Sequence, residues 1–367
     1  MRPDEIHVIY GTQPLTMVKD LLDQMKAADH IDQGMKIALK PNLVVAKPSR
    51  EGATTTPAIA EGIIQYLLEH NLRNISIIEG SWVGDQTARA FKICGYDEIS
   101  RKYQIPLVDL QKDDAQNISV QGQSLKICKK VLETDYLINL PVLKAHCQTL
   151  FTCALKNLKG CIPNSEKRRY HSLGLHKPIA YLSKALKTSL NVVDALNGDL
   201  TFEEGGNPIQ MDRIIAGQDP VLIDTYCASL IGYTKEEIAY ISLAEQLGVG
   251  MGELARAHVV EYNRDLQNGT AFQPSKKAAR LAERVHASDA CSACFGGLIH
   301  ALNRLEENGQ LRQLEEPIYI GQGYKNQVLS GLGIGNCTSG CTHYLKGCPP
   351  SALDMVHFLE TAKSPIK

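Results

Sequence analysis

Residues 35–80 read MKIALKPNLVVAKPSREGATTTPAIAEGIIQYLLEHNLRNISIIEG. The stretch opens with a strand pattern, MKIALKPNLV, that runs into a loop. Thr56-Pro57 then fits a helix start, with threonine as N-cap and proline at the first helical position. The helix PAIAEGIIQYLLEHN follows, and NISIIEG is a second strand. Alternation of this kind predicts a mainly parallel sheet covered by helices on both faces.

The same rhythm continues on either side. IHVIY is a short strand, and PLTMVKDLLDQMKAA has helical periodicity, with apolar residues at Leu15, Val18, Leu22 and Met25. A helix near Thr87 to Ile93 stops at Gly95. IPLVDL, YLINLPVL, LNVVDAL and RIIAGQD read as strands, and PVLIDTYCASLIG and EEIAYISLAEQLG as helices. SVQGQSLKICK looks like an inserted hairpin turning at Gln121-Gly122. The expected fold is therefore α/β, a mainly parallel, doubly wound sheet. Around residues 262–280 the chain turns polar, as a connector would. The expected division is an α/β domain at 1–265 and a smaller, cysteine-rich α+β domain at 266–367. In the latter, a helical stretch at about 275–308 carries CSAC, PIYIGQGY and SGLGIG are short strands, and SALDMVHFLETAK is a final helix.

Composition narrows the function classes. The 367 residues include 39 basic and 40 acidic side chains, a net charge of −1. Such balance gives no global attraction to nucleic acid or to an anionic membrane. The N-terminus MRPDEIHVIYGTQ has no apolar signal core, and no apolar run reaches the roughly 18 to 20 residues that span a bilayer. These features lead us to expect a cytoplasmic protein with neither nucleic-acid nor membrane partners.

Eleven cysteines divide into two groups. Cys94, Cys128, Cys147, Cys153, Cys161 and Cys227 are scattered among apolar patterns, as buried small side chains would be. Cys291, Cys294, Cys337, Cys341 and Cys348 all lie in the last 77 residues. Cys291-Ser-Ala-Cys294 places two thiols one helical turn apart, and the other three come from a separate loop. Four thiolates from two segments suit tetrahedral zinc or a four-iron cluster. Only one CxxC knuckle is present, Cys348 precedes proline as in a ferredoxin run, and glycines flank the ligands. Those features favour a 4Fe–4S cluster on Cys291, Cys294, Cys337 and Cys348, with Cys341 spare. Zinc, or plain thiols, is the alternative.

A polar constellation falls in the first domain. Lys40 and Asn42 lie at the carboxyl end of a strand, where doubly wound sheets bind ligands. Thr54 to Thr56 precede a helix N-terminus, so Thr55 and Thr56 are candidate anion contacts. VLKAHCQT supplies Lys144 and His146, and LKNLKG supplies Lys156, Asn157 and Lys159. Together these groups would bind a small anion, carboxylate or phosphate. Lys144, His146, His171 and Asp194 are candidates for acid–base work. The run Lys167–Arg169 reads as a solvated face, and Asp219 as a helix N-cap.

At these residues the chain resembles a known family. KPNLV, TTTP, NISIIEGS, LPVLKAHCQTLFTCALKNLKG, VVDAL and AGQDPVLID follow the motif order of the "domain of unknown function 362" family, over about residues 5–250. The tail resembles a C-terminal extension of some members, while others carry a ferredoxin-like module. GCPP is also similar to a cluster-binding segment of the hydrogenase small subunit. The resemblance implies an α/β fold and an iron–sulfur association, and it points to no particular reaction. The full C-x₂-C-x₂-C-x₃-C-P run is absent, so one cluster is expected rather than two. The combined expectation is an iron–sulfur redox enzyme acting on a small anionic molecule, with a redox partner protein. A non-redox enzyme with a structural zinc or thiol site, or a non-catalytic electron carrier or assembly partner, is the alternative.

Overall fold

The computed structural model describes residues 1–266 and 276–362. Two units result: residues 1–168 with 176–275, and residues 169–175 with 276–367. Part of the expected connector, 267–275, lies outside the described residues.

The larger unit holds the strands β1 (Glu5–Tyr10), β2 (Ile37–Pro41), β3 (Ile75–Glu79), β4 (Leu107–Asp109), β5 (Ala115–Val120), β6 (Gln123–Cys128), β7 (Tyr136–Leu140), β8 (Lys144–His146), β9 (Leu150–Thr152), β10 (Leu190–Asp199), β11 (Pro208–Gly217) and β12 (His258–Tyr262). Eight of them form one sheet in the order β12-β1-β11-β10-β7-β2-β3-β4. It is parallel except where β11 pairs antiparallel with β1 and β10. Every residue of β2 and β7 is buried, as a parallel strand covered on both faces requires. Chain order runs outward from β2 through β3 to β4, whereas β7 and β10 lie on the other side. The reversal falls between β2 and β7, the position where such sheets open a crevice at their carboxyl ends.

The helices of this unit are α1 (Pro14–Gln24), α2 (Pro57–Glu69), α3 (Thr87–Ile93), α4 (Tyr96–Tyr103), α5 (Lys129–Leu132), α6 (Ala154–Asn157), α7 (Asn164–Leu173), which runs into the smaller unit, α8 (His176–Ala185), α9 (Pro220–Leu230) and α10 (Ala239–Gln246). α1 buries Met17, Val18, Leu21 and Leu22 at helical spacing, and α2 adds Ile59, Ile63 and Leu67 to the same core. The expected hairpin is β5–β6, a separate two-stranded sheet. Its turn residues Gln121 and Gly122 both take positive φ, 48° and 79°, which a tight two-residue hairpin turn demands. Among the described residues no helix is long and apolar enough to cross a membrane.

The smaller unit holds a four-stranded sheet, parallel throughout, in the order β13 (Val285–Ala287), β14 (Ile318–Ile320), β15 (Leu329–Ile334), β16 (Cys341–Leu345). Its helices are α11 (Lys277–Ala282), α12 (Ser292–Glu307) and α13 (Ala352–Thr361). The helical stretch expected across 275–308 is thus interrupted. Val285–Ala287 leaves the helix to pair with β14, a long-range contact that overrides local helical preference.

Candidate functional site: a lysine-rich sheet edge and a four-thiol cluster

At the crevice edge, β2 and β7 set Lys40 opposite Asn139. Lys40 Nζ donates to Glu79 Oε2 at 2.7 Å, to Pro41 O at 2.9 Å and to Asn157 Oδ1 at 3.2 Å. Both charged side chains are sealed, at 1% and 3% exposure. Glu79 also accepts the backbone amides of Gly80 and Leu43. Asn157 donates to Asn139 Oδ1 at 2.8 Å, and Asn139 donates on to Ala154 O and Asn191 Oδ1. This network pins α6 and the following 3₁₀ turn, Leu158–Cys161, onto the sheet edge.

The loop after β2 is equally engaged. Thr55 Oγ1 donates to Leu140 O and accepts from Asn42 N, and Thr54 Oγ1 donates to Lys47 O. Asn42 Oδ1 accepts from Val44 N. Asp194 is buried and accepts the Thr56 amide at 2.7 Å and the Leu196 amide at 3.0 Å. Burial pushes its carboxyl pKa up. Asp194 therefore serves the N-terminus of α2, which the Thr56 side chain does not cap. Asp219 caps α9 as expected, accepting from Val221 N and Leu222 N.

A second group surrounds the β8–β9 hairpin. Lys144 is buried, and its Nζ donates to Ala53 O at 2.7 Å and Glu203 O at 2.9 Å. Lys156 donates to Thr152 Oγ1 at 3.1 Å. His146, Cys147 and Glu203 bring their potential ligand atoms within 4.8 Å of one another. Cys147 donates to Glu203 through both its amide and its thiol, each at 3.0 Å. His146 Nδ1 accepts the amides of Gln148 at 3.1 Å and Thr149 at 3.3 Å, so its proton belongs on Nε2, which faces Glu203 Oε1 at 3.6 Å. A cation at Nε2 would have to drive that proton onto Nδ1, against two backbone donors. Sequence reasoning missed Glu203, which lies in the loop between β10 and β11 without any motif, and treated Cys147 as filler.

Lys144, Lys156, Lys159 and Lys167 gather here with Glu203, and Asp199 and Glu204 also act on Lys144. Burial and the Lys156 charge bring Lys144 down to about 7, and burial brings Lys156 to about 8. Burial, with Lys156 and Lys167, holds Lys159 well below the ordinary lysine range. Lys167 falls to about 8, chiefly through burial. The expectation that Lys167 is solvated is corrected: it is 4% exposed and donates to Gly80 O and Ser81 O, whereas Arg168 and Arg169 are exposed. Burial keeps His146 neutral, and it keeps the Cys147 thiol protonated with Glu203 alongside. Burial opposes ionisation of Glu203, but the facing His146 Nε2–H, the two Cys147 donors and Lys156 outweigh it and hold the carboxyl below its usual range. The side chain of His171 lies outside the described residues.

In the smaller unit, Cys291 is the N-cap of α12 and Cys294 sits in its first turn. Cys337 lies on the turn after β15, and exposed Cys348 follows β16. Asn336 N donates to Gly347 O and Gly347 N to Asn336 Oδ1, each at 2.9 Å, which zips the two loops together. Cys337 and Cys348 lie near enough to act on Cys291 and Cys294. Burial and then the charges of Cys337 and Cys348 raise Cys291. Burial, then Cys291, Cys348 and Cys337, pushes Cys294 to about 12. Cys341, buried at the start of β16, is raised by burial alone. Gln322 Nε2 points a donor at Cys291 Sγ from 3.5 Å. A Cβ on Gly335 would approach Cys294 Sγ to 3.8 Å, so the backbone there lies beside the sulfur.

A crevice-bearing α/β unit joined to a cysteine-rich unit defines the class of protein. Residues 37–229 match the family described as Domain of unknown function (DUF362), and the chain belongs to that family, as its motif order indicated. It is 24% identical over 253 residues to a thylakoid-associated protein of Synechocystis sp., covering 64% of this chain and 75% of that protein. Among solved structures it is similar to the lactate racemase apoprotein of Thermoanaerobacterium thermosaccharolyticum, at 16% identity and a TM-score of 0.39, over 65% of this chain and 56% of that one. A protein from Thermotoga maritima matches at 13% identity and a TM-score of 0.39, over 64% of this chain and 60% of that one. The chain spans less than two thirds of either structure.

Proposed function

We propose that this chain is an iron–sulfur redox enzyme, with one four-iron cluster in the smaller unit and a small anionic substrate bound in the larger. The observation that supports the reading is that Cys337 and Cys348 lie near enough to act electrostatically on Cys291 and Cys294, whereas Cys341 is raised by burial alone. The donor set fits such a group: four thiols, an amide donor from Gln322 and glycine backbone beside a ligand sulfur. When bound, a cluster of this kind supplies single-electron transfer, and a partner protein would exchange the electrons.

The larger unit's own residues support the anion. Lys156, half-buried, offers positive charge at the carboxyl edge of the sheet, with Lys159 beside it on the following turn. Lys144 stands behind them and Glu203 fixes the β8–β9 loop. Low local polarisability around half-buried ammonium groups strengthens their hold on a carboxylate or phosphate. A reducing, cytoplasmic setting belongs to this reading, in line with eleven unpaired cysteines.

Anaerobic purification tests it. The expected preparation is brown, absorbs broadly near about 400 nm and carries about four irons and four sulfides per chain. Cys294→Ser should lose the iron and Cys341→Ser should keep it. Colourless protein with stoichiometric zinc would replace the cluster with a structural metal and remove the redox role.

A further inference from the structure

The lysine group contains one amine that stands apart from the others. Lys40, Lys144, Lys156 and Lys167 each donate to a named acceptor. Lys159 donates no hydrogen bond and forms no ion pair among the described residues, and it is half-buried rather than sealed. It projects from the 3₁₀ turn Leu158–Cys161, whose Gly160 backbone is pressed against the Lys40–Glu79 pair. That anchoring fixes the base of the side chain while its amine stays unengaged. Lys156 and Lys167 lie close enough to act on it electrostatically. A lysine crowded by other cations and partly removed from water is held as the free amine, the form that attacks carbonyl carbon.

A second unengaged group lies nearby. Helix α8 packs against the 3₁₀ turn, and His176 at its start senses the Lys156 charge. The buried Nδ1 of His176 has no hydrogen-bond partner among the described residues. A neutral imidazole at the start of the helix packed on that turn can carry the protons that carbonyl condensation moves.

Building on the anion-binding reading, we propose that Lys159 is a nucleophilic lysine and that the substrate is an oxo acid, whose carboxylate is held by Lys156 and whose carbonyl condenses with the Lys159 amine. The nitrogen lone pair forms a C–N bond while the carbonyl π pair moves to oxygen, which takes up a proton. The added nitrogen gives up one proton to leave the neutral carbinolamine; its hydroxyl takes a second proton and departs as water as the nitrogen lone pair closes the C=N bond, and loss of the remaining N–H proton repays the second. Amine and carbonyl give imine and water, and no oxidant or reductant is consumed. Hydrolysis reverses the step and frees the lysine. Lys159 is then a catalytic residue in the strict sense, since it touches the reacting atom, and His176 is its proton carrier.

The test uses the full chain with pyruvate as the carbonyl probe, sodium borohydride to reduce any imine, and peptide mapping by mass spectrometry. In parallel, malonate, an anion without a ketone, is followed by thermal unfolding. The expected result is one reduced pyruvate per chain on Lys159. Its labelling should exceed that of exposed Lys26 and Lys112 at least about tenfold, since each unit of pKa depression gives about tenfold more free amine. Lys159→Arg keeps a long nitrogen-bearing side chain without a free amine and should lose the label, whereas Lys156→Arg should keep labelling at position 159. Malonate should raise the unfolding temperature. Stabilisation by malonate without label on Lys159 would overturn the nucleophile and leave the anion site standing. Label spread evenly over surface lysines would do the same. Neither stabilisation nor label would overturn both. The mapping is done on the unsubstituted chain, so it does not depend on a variant folding.

Discussion

At the scale of single residues, the most consequential contact is the one between Lys40 and Glu79. From sequence, Lys40 reads as an anion contact because it ends a strand. Its ammonium is in fact already engaged, at 2.7 Å from a carboxylate that is sealed with it. Taking two charges out of water is costly, and the cost is met only while both remain and their other hydrogen bonds are satisfied. Removing one leaves an uncompensated buried charge. Glu79→Leu is therefore expected to destabilise the larger unit by about 3–5 kcal/mol, seen as a lowered denaturant midpoint. The double variant Lys40→Met, Glu79→Leu should recover much of that loss, since an apolar pair leaves no orphaned charge. Equal or greater loss in the double variant would mean that the two side chains act independently. The same reasoning explains why the residue's role was hidden: the partner lies 39 positions away in sequence.

At the scale of elements, Gly160 ties the 3₁₀ turn to the sheet. A Cβ there would fall within contact of Glu79 Oε1 and Lys40 Nζ, so only a bare backbone can approach the ion pair this closely. Gly160→Ala should cost about 1–3 kcal/mol through displacement of the turn. It should also weaken malonate binding, because Lys156 and Lys159 ride on α6 and that turn. Unchanged unfolding and unchanged binding would show that the turn relaxes freely. The periodic elements were legible in the sequence: the βαβ unit at 35–80, the Gln121-Gly122 hairpin and the Asp219 cap each rest on local chemistry that neighbouring residues carry. The β8–β9 hairpin was not, since its turn places Leu150 at a φ of 64°, which no residue-type preference announces. Nor was the strand Val285–Ala287, which exists through pairing with β14. The site divided in the same way. Lys144, His146, Lys156 and Asn157 were visible because they cluster along the chain, whereas Glu203 reaches the group from a loop more than fifty residues away. Arg213 and Asp212, though charged and buried on β11, were silent because strand periodicity there reads as an ordinary core.

At the scale of the whole molecule, a net charge of −1 conceals a group of buried lysines. Several lysines of the larger unit are held below their ordinary pKa, and this couples stability to pH. Lys144 titrates near 7 in the folded chain, chiefly because of burial, and near 10.4 when unfolded. Between those values the unfolded state binds more protons than the folded one. Stability therefore rises with pH across the interval and is lowest where both states are protonated. Lys156 and Lys167, each near 8, act in the same direction. The thiols act in the opposite direction as unfolded cysteine, half-ionised near 8.5, begins to ionise about a unit lower, because burial raises folded thiols such as Cys94 to about 11. The window for a clean measurement is therefore about pH 6.5 to 7.5, centred on the folded Lys144 and closed above by the unfolded thiols. Denaturant unfolding should show stability increasing across it, with Lys144 alone contributing about 0.5–1 kcal/mol. Lys144→Met should flatten the rise, whatever its effect on absolute stability, because the comparison is of slopes. A flat or falling profile in the unsubstituted chain would mean that these ammonium groups are hydrated well enough to keep ordinary basicity, and the lysine-rich edge would then lack the free amine on which carbonyl attack depends.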